Sequence, residues 1–241
     1  MKRKFWILAV CGILLAGTLL AADFWTKKPY SQWKEKECRQ LLQNSPWTYL
    51  FQWGRTGDIG GNVGGNQSDT STQPFDYERE SVTMVRISLF SSRPIRQAYV
   101  ALMAKGDPAK LQKLQDFATR DISDEIILAW TLDSKPKRTD GLMDLDRQLH
   151  ALSIAELANN TFLATNTGKK VYIKDYIQPS PDGTGAKFIF PRFMPDGTPL
   201  ITADDKTVRF QTKSFKIKED EVAIDGTFKV DKLLFDGKLE Y

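Results

Sequence analysis

Residues 83–89 read Thr-Met-Val-Arg-Ile-Ser-Leu, and residues 91–98 read Ser-Ser-Arg-Pro-Ile-Arg-Gln-Ala. In the first, Thr83, Val85, Ile87 and Leu89 alternate with Met84, Arg86 and Ser88, which is the period of a half-buried strand. In the second, Ser91-Ser92-Arg93-Pro94 opens a helix whose apolar residues Ile95, Ala98, Tyr99, Leu102 and Met103 fall at helical spacing. Asp107-Pro108 starts another helix, with the acid at the N-cap and proline in the first turn, and Leu111, Leu114, Phe117 and Ala118 share one face. The near-continuous apolar run from Ile126 to Leu132 then reads as a strand. The order over 82–132 is β-α-α-β, which places the chain in the α+β class.

Downstream, Lys135 to Asp140 reads as a polar turn and Leu142 to Ala158 as a helix, with Leu142, Leu145, Leu149 and Leu152 three to four residues apart. From Thr161 the signals are those of antiparallel sheet, with strands expected at 161–165, 170–177, 186–191, 207–217, 221–230 and 232–240. Pro181-Asp182-Gly183 and Pro195-Asp196-Gly197 mark turns. Residues 222–228 and 233–239 echo each other around an Asp-Gly pair, which reads as a hairpin signature. The expectation is a C-terminal antiparallel meander, with the β-α-α-β strands able to join the same sheet.

Upstream, Ser31 reads as an N-cap, with Trp33, Cys38, Leu41 and Leu42 on one helical face, and Asn44-Ser45-Pro46 stops that helix. Trp47 to Trp53 reads as a strand. Trp25, Trp33, Trp47 and Trp53 are four of the six tryptophans, and their crowding predicts a packed subcore. Residues 54–75 change to Gly, Ser, Thr, Asn and Gln, a composition that buries too little surface to offset ordering entropy, so a flexible loop is expected. The implied organisation is 1–25 leader, 26–53 Trp-rich helix and strand, 54–75 loop and 76–241 globular α+β domain.

The leader decides the compartment. Lys2, Arg3 and Lys4 precede an apolar stretch from Phe5 to Ala22 that ends at Asp23, the pattern of an export signal. Cleavage before Asp23 gives a periplasmic protein. Retention gives an anchor, since eighteen residues reach about 27 Å as a helix, close to the bilayer core. Phe5-Trp6 and Phe24-Trp25 bracket the run where interfacial aromatics sit, and they favour retention with the body facing the periplasm. Of 34 basic and 30 acidic residues, three basic ones and no acid lie in residues 1–22, so residues 23–241 carry a formal charge of +1. No nucleic-acid partner is expected from that balance. Cys11 lies in the leader, leaving Cys38 with no partner for an internal disulfide.

No catalytic constellation stands out. His150 is the only histidine and no Gly-x-Ser-x-Gly elbow accompanies it, so it reads as a structural or surface residue. Asp144/Asp146, Asp204/Asp205 and Glu219/Asp220/Glu221 read as solvated turns, without the alternating ligands and central glycine of a calcium loop. No metal or cofactor is expected. The polar group that points to a ligand is Ser91, Ser92, Arg93 and Arg96, where a helix N-terminus and two arginines are placed to hold an anion. The competing reading has Ser92 capping the helix and the arginines pairing with surface acids.

Several segments together resemble a family of exported bacterial proteins associated with the GWxTD domain. These are Lys28-Pro29-Tyr30 to Trp33, Asn44-Ser45-Pro46-Trp47, the 91–98 segment, Phe188-Ile189-Phe190-Pro191-Arg192 and Phe235-Asp236-Gly237-Lys238-Leu239-Glu240. The likeness covers most of residues 28–241 and implies export and a shared fold, with no activity or cofactor attached. The leading expectation is an envelope protein that binds or interacts without catalysis, its partners being the cytoplasmic membrane through residues 5–22 and an envelope protein. The alternative is an envelope-polymer hydrolase using paired carboxylates.

Overall fold

A computed structural model describes residues 24–53, 83–132, 140–217 and 220–241. The expected leader, the Gly-rich segment at 54–75 and the turn before Asp140 fall outside these residues. The chain enters through α1 (Phe24–Lys27), a 3-10 turn at Tyr30–Gln32, α2 (Glu35–Gln43) and β1 (Thr48–Trp53). The central unit follows as β2 (Thr83–Leu89), α3 (Arg93–Ala104), α4 (Pro108–Lys113), α5 (Gln115–Thr119) and β3 (Glu125–Leu132). After α6 (Asp140–Ala151) and α7 (Ile154–Leu157) come β4 (Thr161–Thr165), β5 (Lys170–Tyr172), β6 (Asp175–Ile177) and β7 (Ala186–Pro191). The chain closes with β8 (Thr207–Ile217), β9 (Asp220–Lys229), β10 (Leu234–Phe235) and β11 (Lys238–Leu239).

These strands form two larger antiparallel sheets and a small hairpin. The first sheet has the order β1-β2-β3-β7-β6 and the second β5-β4-β8-β9, while β10 and β11 pair with each other. The fold is α+β. It is not a simple meander, because β6 and β7 extend the sheet begun by β1, β2 and β3, whereas β4, β5, β8 and β9 build the other. The expected single strand at 170–177 divides between them: Ile173 N–H donates to Thr161 in the second sheet, and Lys174 N–H donates to Ile189 in the first. Val171 and Ile173 keep the alternation of one strand because both are buried. Local period alone therefore did not reveal the crossing.

The two sheets meet through aromatic rings. Trp130 of β3 lies 4.4 Å from Phe188 of β7, and 5.4 and 5.2 Å from Phe210 and Phe215 of β8, centroid to centroid. Each such contact is worth roughly 0.5–1.5 kcal/mol beyond the area it buries. Just beyond β2, Phe90 packs against Tyr99 of α3 and Phe117 of α5, so the helices meet the first sheet there. One contiguous cluster of buried side chains runs from Trp25 to Tyr241.

Four helical expectations need correction. The helix expected from Ser31 starts at Glu35, where the Lys34 N–H donates to Glu37 Oε2 at 2.6 Å, and Trp33 stands outside it. The helix after Asp107 breaks at Leu114 into α4 and α5, with Asp107 capping the first through the Ala109 and Lys110 amides. The helix over 142–158 breaks at Leu152-Ser153, because Glu156 accepts from both the amide and the hydroxyl of Ser153 and starts α7. On α3 the predicted face is also shifted. Met103 is exposed, while Ile95, Arg96, Ala98, Val100 and Ala104 are buried between α2 and α5.

Candidate functional site

The junction of β2 and α3 is built by the change of period that the sequence shows at Leu89. Phe90 and Ser91 amides both donate to the Ile127 carbonyl, a bulged end to the β2–β3 ladder that lets the chain turn into the helix. Ser91 Oγ accepts from the Ile127 amide, and Ser92 Oγ donates to the Leu89 carbonyl at 2.6 Å. Both serines thus serve the turn, and Ser92 makes no side-chain cap to α3. Arg96 is 1% exposed and donates to the Phe117 and Ser91 carbonyls at 2.7 and 3.2 Å. Burial depresses its guanidinium pKa to about 10, which leaves it charged at neutral pH.

Arg93 meets a carboxylate supplied by the chain itself. Glu240 Oε1 accepts from Arg93 Nε at 2.6 Å and Nη2 at 2.5 Å, and Oε2 accepts from the Arg93 amide at 3.2 Å. That amide is the first of the helix, one of the donors no helical partner satisfies. The carboxylate that meets Arg93 at this junction comes from the C-terminal segment, at the far end of the sequence. Glu240 is held on its backbone as well: its carbonyl accepts from Trp47 Nε1 at 2.8 Å, and its amide donates to Leu233. Next to it, Tyr241 lies 4.1 Å under the Arg192 guanidinium and donates its hydroxyl to the Ile201 carbonyl. Chemically, the junction clamps β10–β11 onto the first sheet.

The remaining candidates separate. His150 is half exposed on α6, 3.9 Å from Asp146. Asp144 pairs with Arg147, and Glu221 lies 4.0 Å from Lys216, while Glu219 falls outside the described residues. Asp204 is exposed but Asp205 is buried, and accepts from Lys169 Nζ at 2.7 Å, Thr167 Oγ1 at 2.6 Å and both the amide and hydroxyl of Thr202. Burial alone pushes its pKa upward; these donors outweigh that and hold it well below the ordinary carboxylate range. Cys38 is buried on α2, and burial pushes its thiol up to about 11. Among the described residues no group of three or more His, Cys, Asp or Glu stands close enough to hold a metal ion.

Sequence reasoning missed one polar cluster. Lys187 is buried on β7, where its ammonium donates to the Thr184 hydroxyl and to the Gly185 carbonyl, with Asp182 4.0 Å away. Burial lowers its pKa and Asp182 pulls it back upward. The Asp-Gly-Thr after Pro181 was legible as a turn, but nothing in the alternation of β7 signalled that Lys187 would fold back onto it.

No protein-family model, curated protein or solved structure matches the chain.

Proposed function

We propose that the chain is a membrane-anchored envelope protein that acts by binding and not by catalysis, displayed on the outer side of the cytoplasmic membrane. The observation that carries this reading is the seat of the N-terminal aromatic residues. Phe24 and Trp25 follow the apolar stretch 5–22 after a single residue, and both rings belong to an edge-on series. Phe24 meets Trp33 at 5.7 Å, Trp25 meets Trp47 at 5.8 Å, and Trp47, wholly buried, meets Phe235 at 6.4 Å. A retained span feeds straight into this packing, with no tether between bilayer and body. Such mounting fixes which surfaces face outward, which suits recognition. The resemblance to exported GWxTD-associated proteins points to the same compartment.

The hydrolase alternative requires two carboxylates across a cleft, one of them kept protonated. Asp144, Asp146, Asp205 and Glu221 instead lie beside basic partners, and Asp205 is driven the opposite way. Among the described residues no helix is long and apolar enough to cross a membrane, so anchoring rests on residues 5–22. Fractionation tests the reading. The native chain should sediment with membranes and resist alkaline carbonate, and replacing Leu14 and Leu15 together with arginine should block export. Release as soluble protein by osmotic shock overturns the anchor.

A further inference from the structure

The second sheet turns one face to the aromatic core and leaves the other outward. Leu163, Val208, Phe210 and Phe228 point into the core and are buried. On the outward face the register aligns two rows across the strands. One runs Tyr172, Phe162, Gln211, Asp225, and the next runs Lys170, Ala164, Arg209, Thr227. In the second row Ala164 forms a low floor between two basic residues. With strands about 4.8 Å apart, Lys170 and Arg209 arise about 10 Å from each other.

The chemistry of this face is basic and aromatic together. Tyr172 is 46% exposed on the edge strand β5, and its ring meets Phe162 edge to face at 6.0 Å. The Lys170 ammonium lies 3.6 Å from the Phe162 centroid and 4.7 Å from that of Tyr172, so the cation is positioned over the rings. Arg209 is half exposed, and Asp225 orients it by accepting from Nε at 3.0 Å and Nη2 at 2.5 Å. Asp225 is itself buried and offsets the charge of Arg209, so the two rows, with two cations against one carboxylate, carry a net charge of +1, and Lys170 and Arg209 are their exposed ionic groups. Lys229 continues the positive charge one position further, opposite Thr207.

We propose that this face, centred on Lys170, Tyr172, Phe162 and Arg209, binds an acidic polysaccharide, its carboxylates pairing with Lys170 and Arg209 and a sugar face stacking on Tyr172. The proposal rests on the envelope-binding reading and names its ligand. Charge complementarity selects an anion, and an exposed ring beside amide and hydroxyl groups suits the mixed C–H and O–H surface of a sugar. The donors stand on strands whose ladders fix their spacing. That geometry suits a polymer of regular covalent repeat better than a fluid headgroup layer.

The full chain, embedded in nanodiscs of zwitterionic lipid, tests this directly. Polygalacturonate should bind, its fully methyl-esterified form should not, and Lys170→Glu and Tyr172→Ala should each weaken binding about tenfold or more with melting temperature unchanged. Equal binding of the two polymers, or binding indifferent to both substitutions, overturns the proposal. So does tighter binding of oligo(dT) or of phosphatidylglycerol vesicles than of polygalacturonate. Failure here in a chain that still sediments with membranes leaves the anchor standing, whereas a soluble chain that binds polygalacturonate removes the anchor and keeps this surface.

Discussion

Glu240 and Arg93 stand 147 residues apart, and their three contacts join the segment just after the last strand to the first residue of α3. Charge-assisted bonds of this kind, partly shielded from water, contribute about 1.5–3 kcal/mol. Glu240→Ala should therefore lower unfolding stability by about 1–3 kcal/mol in urea titration, and an unchanged midpoint would show that the clamp contributes nothing. The two Asp-Gly pairs of the echo between 222–228 and 233–239 differ in what they ask of the backbone. Asp236 and Gly237 have φ of 50° and 73°, the left-handed turn of the β10–β11 hairpin, whereas Gly226 lies within β9. A Cβ on Gly226 would come 2.8 Å from the Tyr49 ring. Gly226→Ala should cost about 1–3 kcal/mol by overpacking, and Gly237→Ala about 1–2 kcal/mol by backbone strain alone. Equal tolerance of both in thermal melts would contradict these assignments.

Asp205 carries the clearest pH dependence. Its folded pKa is depressed, so the stability it contributes is fully present above the unfolded value near 4 and is lost as pH falls through the folded value. Wild-type stability should drop between about pH 5 and pH 2 more steeply than that of Asp205→Asn, whose curve should be flatter and lower at neutral pH. Parallel curves in acid would remove Asp205 from the account.

Among the elements, what was legible follows from short-range pattern. The alternation at 83–89 and the paired turn signals around 181–183 and 195–197 gave β2 and the Asx turns, where Asp182 and Asp196 each accept from a following threonine amide. The Ser153-x-x-Glu156 capping box stands in the sequence but went unread, because the leucine spacing on either side masked the break between α6 and α7. The distribution of strands between two sheets was not readable, since Val171 and Ile173 alternate identically whether or not the chain crosses over. For the junction, the strand end, helix start and basic residues were legible at 91–96. The identity of their partner was not, because no local period reports a contact between sequence ends.

The whole body is closed at one place. Trp47 contacts Trp25 and Phe235, donates to the Glu240 carbonyl, and so ties the N-terminal segment, the first sheet and the C-terminal hairpin together. Trp47→Ala should cost about 3–5 kcal/mol, read by denaturant unfolding, and a loss below about 1 kcal/mol would show that these parts are held independently. The same packing is what makes the N-terminus informative about function. If the span at 5–22 is kept, Phe24 leads directly from bilayer to core, and the sheet face bearing Lys170 and Tyr172 is presented at a fixed attitude. Mass-spectrometric determination of the native N-terminus, on protein taken from fractionated cells, tests that arrangement most directly. The account predicts a membrane-bound chain whose leader peptide, through Ala22, is still covalently attached; a soluble chain beginning at Asp23 would contradict it.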